Sequence, residues 1–298
     1  MLFVPFVAQP FVFFVAAGLK PAGGVDRIGA MLPKTLFVAL VALGSSACFV
    51  ETVAPVEGRF DRTLAVNGPV DLEIRTGSGG IRVDTGAGNS VHIVGRIRAN
   101  NWFDSAPQER VREIEAHPPI EQSGNTIRIG QSVDNDLFRA VSIGYEVTVP
   151  ASTRVRSSAG SGGQTIRGVD GPVEAAAGSG GVRVEATGSA IDARTGSGGI
   201  VITGAKTGVL ARTGSGSIRV EGRPTAPWSI RTGSGGIQMS VLADPGFELD
   251  ASTGSGGISS DQPVAVTGER SRHHLHGTVR GGGPRVELST GSGGIRID

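Results

Sequence analysis

From Val70 onward, apolar and polar residues alternate in short bursts that glycine clusters interrupt. Val70, Leu72 and Ile74 alternate with Asp71, Glu73 and Arg75; Gly77-Ser78-Gly79-Gly80 follows, and Ile81 and Val83 resume the alternation. Period-two spacing bounded by glycine predicts half-buried strands joined by tight corners. The same unit returns as Arg194-Thr195-Gly196-Ser197-Gly198-Gly199-Ile200, and its first glycine recurs at Gly77, Gly160, Gly178, Gly214, Gly233, Gly254 and Gly291. From Gly160 to Gly214 the steps are 18 residues each, and the next two are 19 and 21. With that glycine as a ruler, apolar residues fall five before it (Leu72, Ile191, Val209, Trp228, Leu249, Val286) and four after it (Ile81, Val182, Ile200, Ile218, Ile237, Ile258, Ile295). A fixed period of this kind is the mark of a repeat architecture.

Each repeat offers two short strands with one apolar face apiece, and such a pair is unstable alone. Stacking successive repeats so that like strands pair in register buries every apolar face in one core. The prediction is an all-β chain folded as a β-solenoid of about 18–21-residue coils, its two strands per coil forming opposed sheets. A meander of hairpins in a sandwich or barrel is the main alternative. Gly-Ser-Gly-Gly makes one corner, with glycine expected there because it enters positive φ without steric cost. A second corner is expected at Gly188, Gly204-Ala205, Gly222 and Asp244-Pro245-Gly246.

Two stretches depart from the repeat. Between Asn100 and Ile120, Ser105-Ala106-Pro107-Gln108-Glu109 reads as a helix start, which predicts one short helix near residues 106–116 with Val111 and Ile114 facing inward. Strands return at Thr126–Ile129 and Val141–Val149. The step from Gly254 to Gly291 is 37 residues, about twice the period, as though one coil had lost its signature. In its place lie Glu269–His276 and Gly281-Gly282-Gly283-Pro284, expected to form an atypical cap over the solenoid end.

The N-terminal region speaks of location. Met1–Leu19 is apolar but broken by Pro5 and Pro10, which weakens it as a membrane helix. Met31 begins a second start-like segment: Lys34, an apolar run from Leu36 to Leu43, and small residues up to Ala47. These are the parts of a secretory signal. Residues 31–47 are therefore expected to be a signal peptide, and residues 1–30 a spurious extension of the reading frame. Cys48 is the only cysteine, so neither an intramolecular disulfide nor a thiolate metal cluster can form. Placed directly after Ala47, it resembles the lipid-modified cysteine of bacterial lipoproteins, although Ser45 stands where such signals usually carry Leu. A diacylated Cys48 would hold the chain at a membrane without a spanning helix. Residues 48–58 then read as a tether, 59–150 as an N-terminal β region carrying the helical insertion, and 151–298 as the repeat solenoid with its C-terminal cap.

Tyr145-Glu146-Val147-Thr148-Val149-Pro150, then Gly160-Ser161-Gly162-Gly163, then the train of Thr-Gly-Ser-Gly units resembles a bacterial family labelled "putative adhesins", cell-envelope domains of unknown function. The closing stretch from Gly277 to Ile295 is similar to that family's C-terminal signature. The resemblance spans roughly Arg59 to Asp298. It implies a β-solenoid and an envelope or surface setting, and supplies no catalytic residues.

Charge and motifs narrow the function. From Cys48 onward the 28 basic residues lose Lys20, Arg27 and Lys34, and the 27 acidic ones lose Asp26, leaving 25 against 26. Near-neutrality argues against a general nucleic-acid binder. No nucleophile elbow, phosphate-binding loop or dinucleotide fingerprint is present, so no catalytic residue and no cofactor is expected. The serine and threonine of each corner are expected to satisfy nearby backbone groups. His273, His274 and His276 would be the candidates for a metal, but Arg270 and Arg272 lie just before them, and a solvated capping loop with no metal is expected.

The outward feature that points to a ligand is an arginine row. Arg194, Arg212 and Arg231 each lie two residues before their ruler glycine, so the solenoid would stack them on one face. At about 4.8 Å apart in water, each adjacent pair costs just under about 1 kcal/mol before screening. That cost is tolerable, and an anionic polymer would relieve it. The expected function is a non-catalytic, lipid-anchored envelope protein presenting a surface for adhesion, binding or structural spacing. Its partners would be the membrane, through the anchor, and an anionic envelope polymer or another envelope protein. The alternatives are an envelope-stress sensor and, less favoured, a polysaccharide-active enzyme, which would need clustered acids on one face.

Overall fold

The computed structural model describes residues 55–100, 106–130, 138, 140–185, 187–243, 245–267 and 271–298, all within the unit Thr52–Asp298. The proposed signal peptide, Cys48 and most of the proposed tether lie outside these residues.

The strand before each corner joins a 12-stranded sheet, the leading sheet, and the strand after it an 11-stranded sheet, the trailing sheet. Ile191–Thr195 pairs in parallel with Val209–Thr213, setting Ile191 against Val209 and Ala193 against Ala211. Across the corner, Ile200 lies against Ile218 and Ile202 against Val220. The apolar positions counted from the ruler glycine, among them Leu72, Ile202, Trp228, Leu249 and Ile297, are buried between the two sheets. The fold is a β-solenoid, as the repeat period implied.

The order of the coils is not the order of the chain. Val70–Thr76 pairs in register with Thr153–Ala159, so the Gly160 coil stacks directly on the Gly77 coil. The chain between them extends the other side of that first coil. Val141–Val149 runs parallel to Ile81–Thr85, and Ser90–Ala99 and Val56–Ala65 add antiparallel strands beyond it. The helix Pro107–Ala116 covers the edge strand: Val111 and Ile114 are buried, and the Arg59 N–H donates to Glu115 Oε1 at 2.8 Å. One backbone donor of that edge strand, the Arg59 N–H, is thereby satisfied.

At the other end, successive stacking fails. The final coil, Arg285–Ser292 and Ile295–Ile297, slots between the Gly233 and Gly254 coils, where Val286 lies against both Trp228 and Leu249. Ile295 likewise lies between Ile237 and Ile258. No coil has lost its signature. The 37-residue step instead holds the strand Ile258–Ser260 and two strands, Val264–Val266 and His274–Val279, that run antiparallel and close the leading sheet. A strand that reverses direction cannot begin another coil of the same hand, so the stack ends there and the chain returns to fill the gap.

The reason for glycine at the corners also differs from expectation. Of the glycines in the Gly-Ser-Gly corners, only Gly79 and Gly256, in the first and last corner coils of the stack, adopt positive φ. Close approach is what requires glycine at the corners. A Cβ on Gly180 would stand 1.9 Å from the Gly162 carbonyl oxygen, one on Gly198 2.0 Å from that of Gly180, and one on Gly178 2.5 Å from that of Gly160. The same holds where the chain order is broken, since a Cβ on Gly291 would meet the Gly233 oxygen at 2.6 Å. Positive φ occurs instead on the far side of the coil, where Gly204, at +70°, accompanies a register shift between Ile202 and Ala205.

Candidate functional site

The corners are held by threonine, not serine. Thr195, Thr213, Thr232, Thr253 and Thr290 are buried. Each hydroxyl donates, at 2.8–2.9 Å, to the carbonyl of the second glycine in the neighbouring coil's Gly-Ser-Gly. The Thr195 hydroxyl also accepts the Gly198 N–H at 3.1 Å. Ser197 lies exposed on the outside of its corner. The threonine hydroxyls therefore satisfy backbone groups, and the corner threonines form a hydrogen-bonded column down the stack.

On the outer face of the leading sheet, parallel pairing places Arg194 against Arg212 and Arg212 against Arg231. The expected arginine row is thus assembled on three adjacent strands. Its ends are compensated: Arg194 contacts Asp192 at 2.5 Å and Arg231 contacts Glu287 at 2.6 Å, with the two arginine side chains 55% and 50% exposed. Arg212 is exposed and makes no ion pair among the described residues; Leu210 precedes it on its own strand, with Ser229 on one side and Asp192, already bound by Arg194, on the other. Such exposed pairs contribute little to stability but leave Arg212 as the free charge of the row.

Beside that row lies a trough of about 520 Å³ lined by Arg75, Arg156 and Arg194 together with Glu73, Glu174 and Asp192. Hydrogen bonding to Arg156 holds the Glu174 carboxyl below the usual carboxylate range. Three cations and three anions balance here. The trailing sheet carries a second trough, of about 620 Å³, in which Arg82, Arg96 and Arg183 face a single carboxylate, Glu146.

The histidines sit together in the cap, with Leu275 buried between His274 and His276. His274 and His276 lie on one strand opposite Ser252 and Asp250, His276 approaches Glu248 at 4.0 Å, and His273 and His274 are exposed. Tyr145 is buried against Phe60, with ring centroids 6.4 Å apart, and burial pushes its phenol pKa upward, so it stays neutral.

Residues 66–298 match the family model described as "Toastrack DUF4097", and the chain belongs to that family, in agreement with the resemblance carried by its Thr-Gly-Ser-Gly units. Curated proteins offer no significant match. Among solved structures, the chain is similar to a "putative cell adhesion protein" from Clostridium sporogenes at 13% identity and a TM-score of 0.37, over 82% of this chain and 98% of that one. It is similar to a "putative adhesin" from Bacteroides fragilis at 10% identity and a TM-score of 0.39, over 83% and 100%. A "Putative lipid binding protein" from Parabacteroides distasonis follows at 12% and 0.34, over 80% and 96%. At such scores these likenesses carry nothing about function.

The trailing-sheet arginines lie outside the row that the repeat offsets predicted. Arg82 and Arg183 share an offset of five from the ruler glycine, a signal present in the sequence. Arg96 reaches the same trough only through an antiparallel strand, which no offset reveals.

Proposed function

We propose that this protein is a non-catalytic component of the cell envelope, anchored through a lipid on Cys48, whose solenoid displays Arg194, Arg212 and Arg231 to an anionic envelope polymer. The observation that carries the reading is the register: three arginines on adjacent parallel strands, about 4.8 Å apart, with Arg212 lacking a carboxylate partner among the described residues. A polymer with closely spaced anions would relieve their mutual repulsion and gain several weak contacts along one line. Neither sheet's outer trough groups carboxylates without arginines beside them, which favours display over acid–base chemistry.

The test is retention on an acidic glycan matrix at moderate salt, comparing the wild type with an Arg194/Arg212/Arg231→Gln variant. The wild type should elute later; equal retention would refute the role of the row. Mass spectrometry of the mature N-terminus tests the anchor, which a chain beginning elsewhere than at an acylated Cys48 would exclude.

A further inference from the structure

We infer that the outer face of the trailing sheet is a docking groove for a linear acidic polysaccharide carrying one carboxylate per two sugar rings. Five residues past each ruler glycine, this sheet points a side chain outward. In the order in which the strands lie, Arg82, Arg183, Arg219 and Arg296 occupy every second strand, and Thr165, Val201 and Gln238 the strands between. In chain order the offset alternates from Arg82 to Gln238 and then breaks at Ser259; stacking makes these residues neighbours and carries the alternation on to Arg296. Arg82 meets Thr165 because the Gly160 coil stacks on the Gly77 coil, and Arg296 meets Gln238 because the last coil is inserted.

Three of these cations are available to a ligand. Arg82 is exposed and makes no ion pair among the described residues; the carboxylate in register beside it, Glu146, is taken up by Arg96 at 3.1 Å. The carboxylate paired with Arg183 is Glu185, at 3.8 Å. Arg219 donates to the neutral side-chain oxygen of Gln238 at 3.0 Å. Arg296 differs, being held by Asp298 at 2.5 Å and Asp261 at 3.3 Å. The row therefore presents Arg82, Arg183 and Arg219 at intervals of about 10 Å, twice the strand spacing.

The space beside the row is open. Gly144, Gly80, Gly163, Gly181 and Gly199 line the floor of the 620 Å³ trough, with Arg96 in register across from Gly144. Unlike the paired glycines of each Gly-Ser-Gly, these are not forced by the backbone. A Cβ on Gly80, Gly163 or Gly181 would find its nearest neighbour at 3.5, 3.9 or 3.5 Å, an ordinary contact, and Ser217 already fills the equivalent place in the next coil. The result is a flat strip of backbone beside spaced guanidinium groups, with three arginines and one carboxylate lining it. Of the two troughs, the one on the leading sheet has balanced charges and the one on the trailing sheet does not, so the trailing trough is the one that favours an anion.

Charge spacing selects the polymer. A nucleic-acid strand carries a phosphate about every 3.4 Å, roughly three times denser than this row. A glycan in which acidic and neutral rings alternate supplies anions at about the interval of the arginines, and the C–H faces of its rings suit a floor of glycine Cα–H groups. Arginine's planar fork is matched to a carboxylate. This groove lies on the sheet opposite the Arg194 row and does not depend on it.

Titration calorimetry at low salt tests the inference, with hyaluronan oligosaccharides as the alternating probe, oligogalacturonate as the fully charged one and dextran as the neutral one. The wild type should bind hyaluronan most tightly. Arg82→Gln with Arg183→Gln should weaken it about ten-fold or more. Gly163→Gln with Gly181→Gln, which fills the floor, should do the same while leaving the melting temperature unchanged. The Arg194/Arg212/Arg231→Gln variant should bind hyaluronan as the wild type does, which separates this groove from the leading-sheet row. Unchanged affinity in the Arg82/Arg183 variant, equal binding of dextran, or tighter binding of oligogalacturonate would each overturn the proposal. Should the floor-filled variant melt early, the exposed arginine pair still decides it.

Discussion

Two adjacent glycines of one corner should respond oppositely to the same substitution. In Gly180→Ala the new methyl would stand 1.9 Å from the Gly162 oxygen, 2.4 Å from its carbonyl carbon and 3.1 Å from the Gly163 nitrogen, all backbone atoms. Reaching an ordinary C···O contact near 3.5 Å means parting the two coils by about 1.5 Å at that point. The nearby hydrogen bonds between those two coils are Gly178 N–H to Ala159 O at 2.9 Å and Ser179 N–H to Gly160 O at 3.0 Å, and neither survives such a gap. Two lost hydrogen bonds at about 1 kcal/mol each, with about 1–3 kcal/mol of overpacking strain, predict a loss of about 3–5 kcal/mol. In Gly181→Ala the nearest atom is the Gly199 oxygen at 3.5 Å. That substitution should be neutral or should stabilise by up to about 1 kcal/mol, because it reduces the freedom of the unfolded chain. Urea denaturation, followed in parallel by circular dichroism and tryptophan fluorescence, measures both; coincident transitions would license a single free energy. If Gly180→Ala stays within about 0.5 kcal/mol of wild type, or if the two variants lose stability equally, close coil approach is not what the corner glycine serves.

Two further outcomes test other parts of the stack. Thr213→Ala removes a hydroxyl that donates to Gly198 O at 2.9 Å and accepts the Gly216 N–H at 3.2 Å, and should cost about 1–3 kcal/mol in the same denaturation experiment, with Thr213→Ser recovering most of it. Deleting Arg285–Asp298 removes the buried Val286, Leu288, Ile295 and Ile297 and leaves both Trp228–Ser234 and Phe247–Ser255 with an unpaired side. The truncated chain should lose its cooperative melt, and a synthetic peptide of residues 285–298 added in trans should restore it. A truncation that melts like the full chain would show that the last coil is dispensable.

The period, the strand alternation and the apolar offsets were legible because each depends on local pattern: Ile200, Ile218 and Ile237 must face one way whatever their neighbours are. The helix at Pro107–Ala116 was legible for the same reason, from its proline-led start and the spacing of Val111 and Ile114. The stacking of Arg194, Arg212 and Arg231 also followed from the sequence, since successive coils of near-constant length bring equal offsets together.

Tertiary structure decided which coil touches which. Inserting Val286 between Trp228 and Leu249 leaves every apolar offset satisfied, as sequential stacking would, so the repeat pattern alone cannot distinguish the two orders. The antiparallel strands Val264–Val266 and His274–Val279 break the degeneracy by blocking the end of the leading sheet. The role of the corner glycines was likewise hidden, because a turn that needs positive φ and a backbone pressed against its neighbour both call for a residue without Cβ, and only coordinates separate them. The alternating arginines of the trailing sheet combine both lessons. Their offset of five from the ruler glycine was in the sequence, but their even spacing needs two long excursions of the chain, one returning Thr165 to Arg82 and the other returning Arg296 to Gln238. Local patterning is set by side chains one or two residues apart, whereas neighbour choice among equivalent coils is set by contacts that the repeat makes interchangeable.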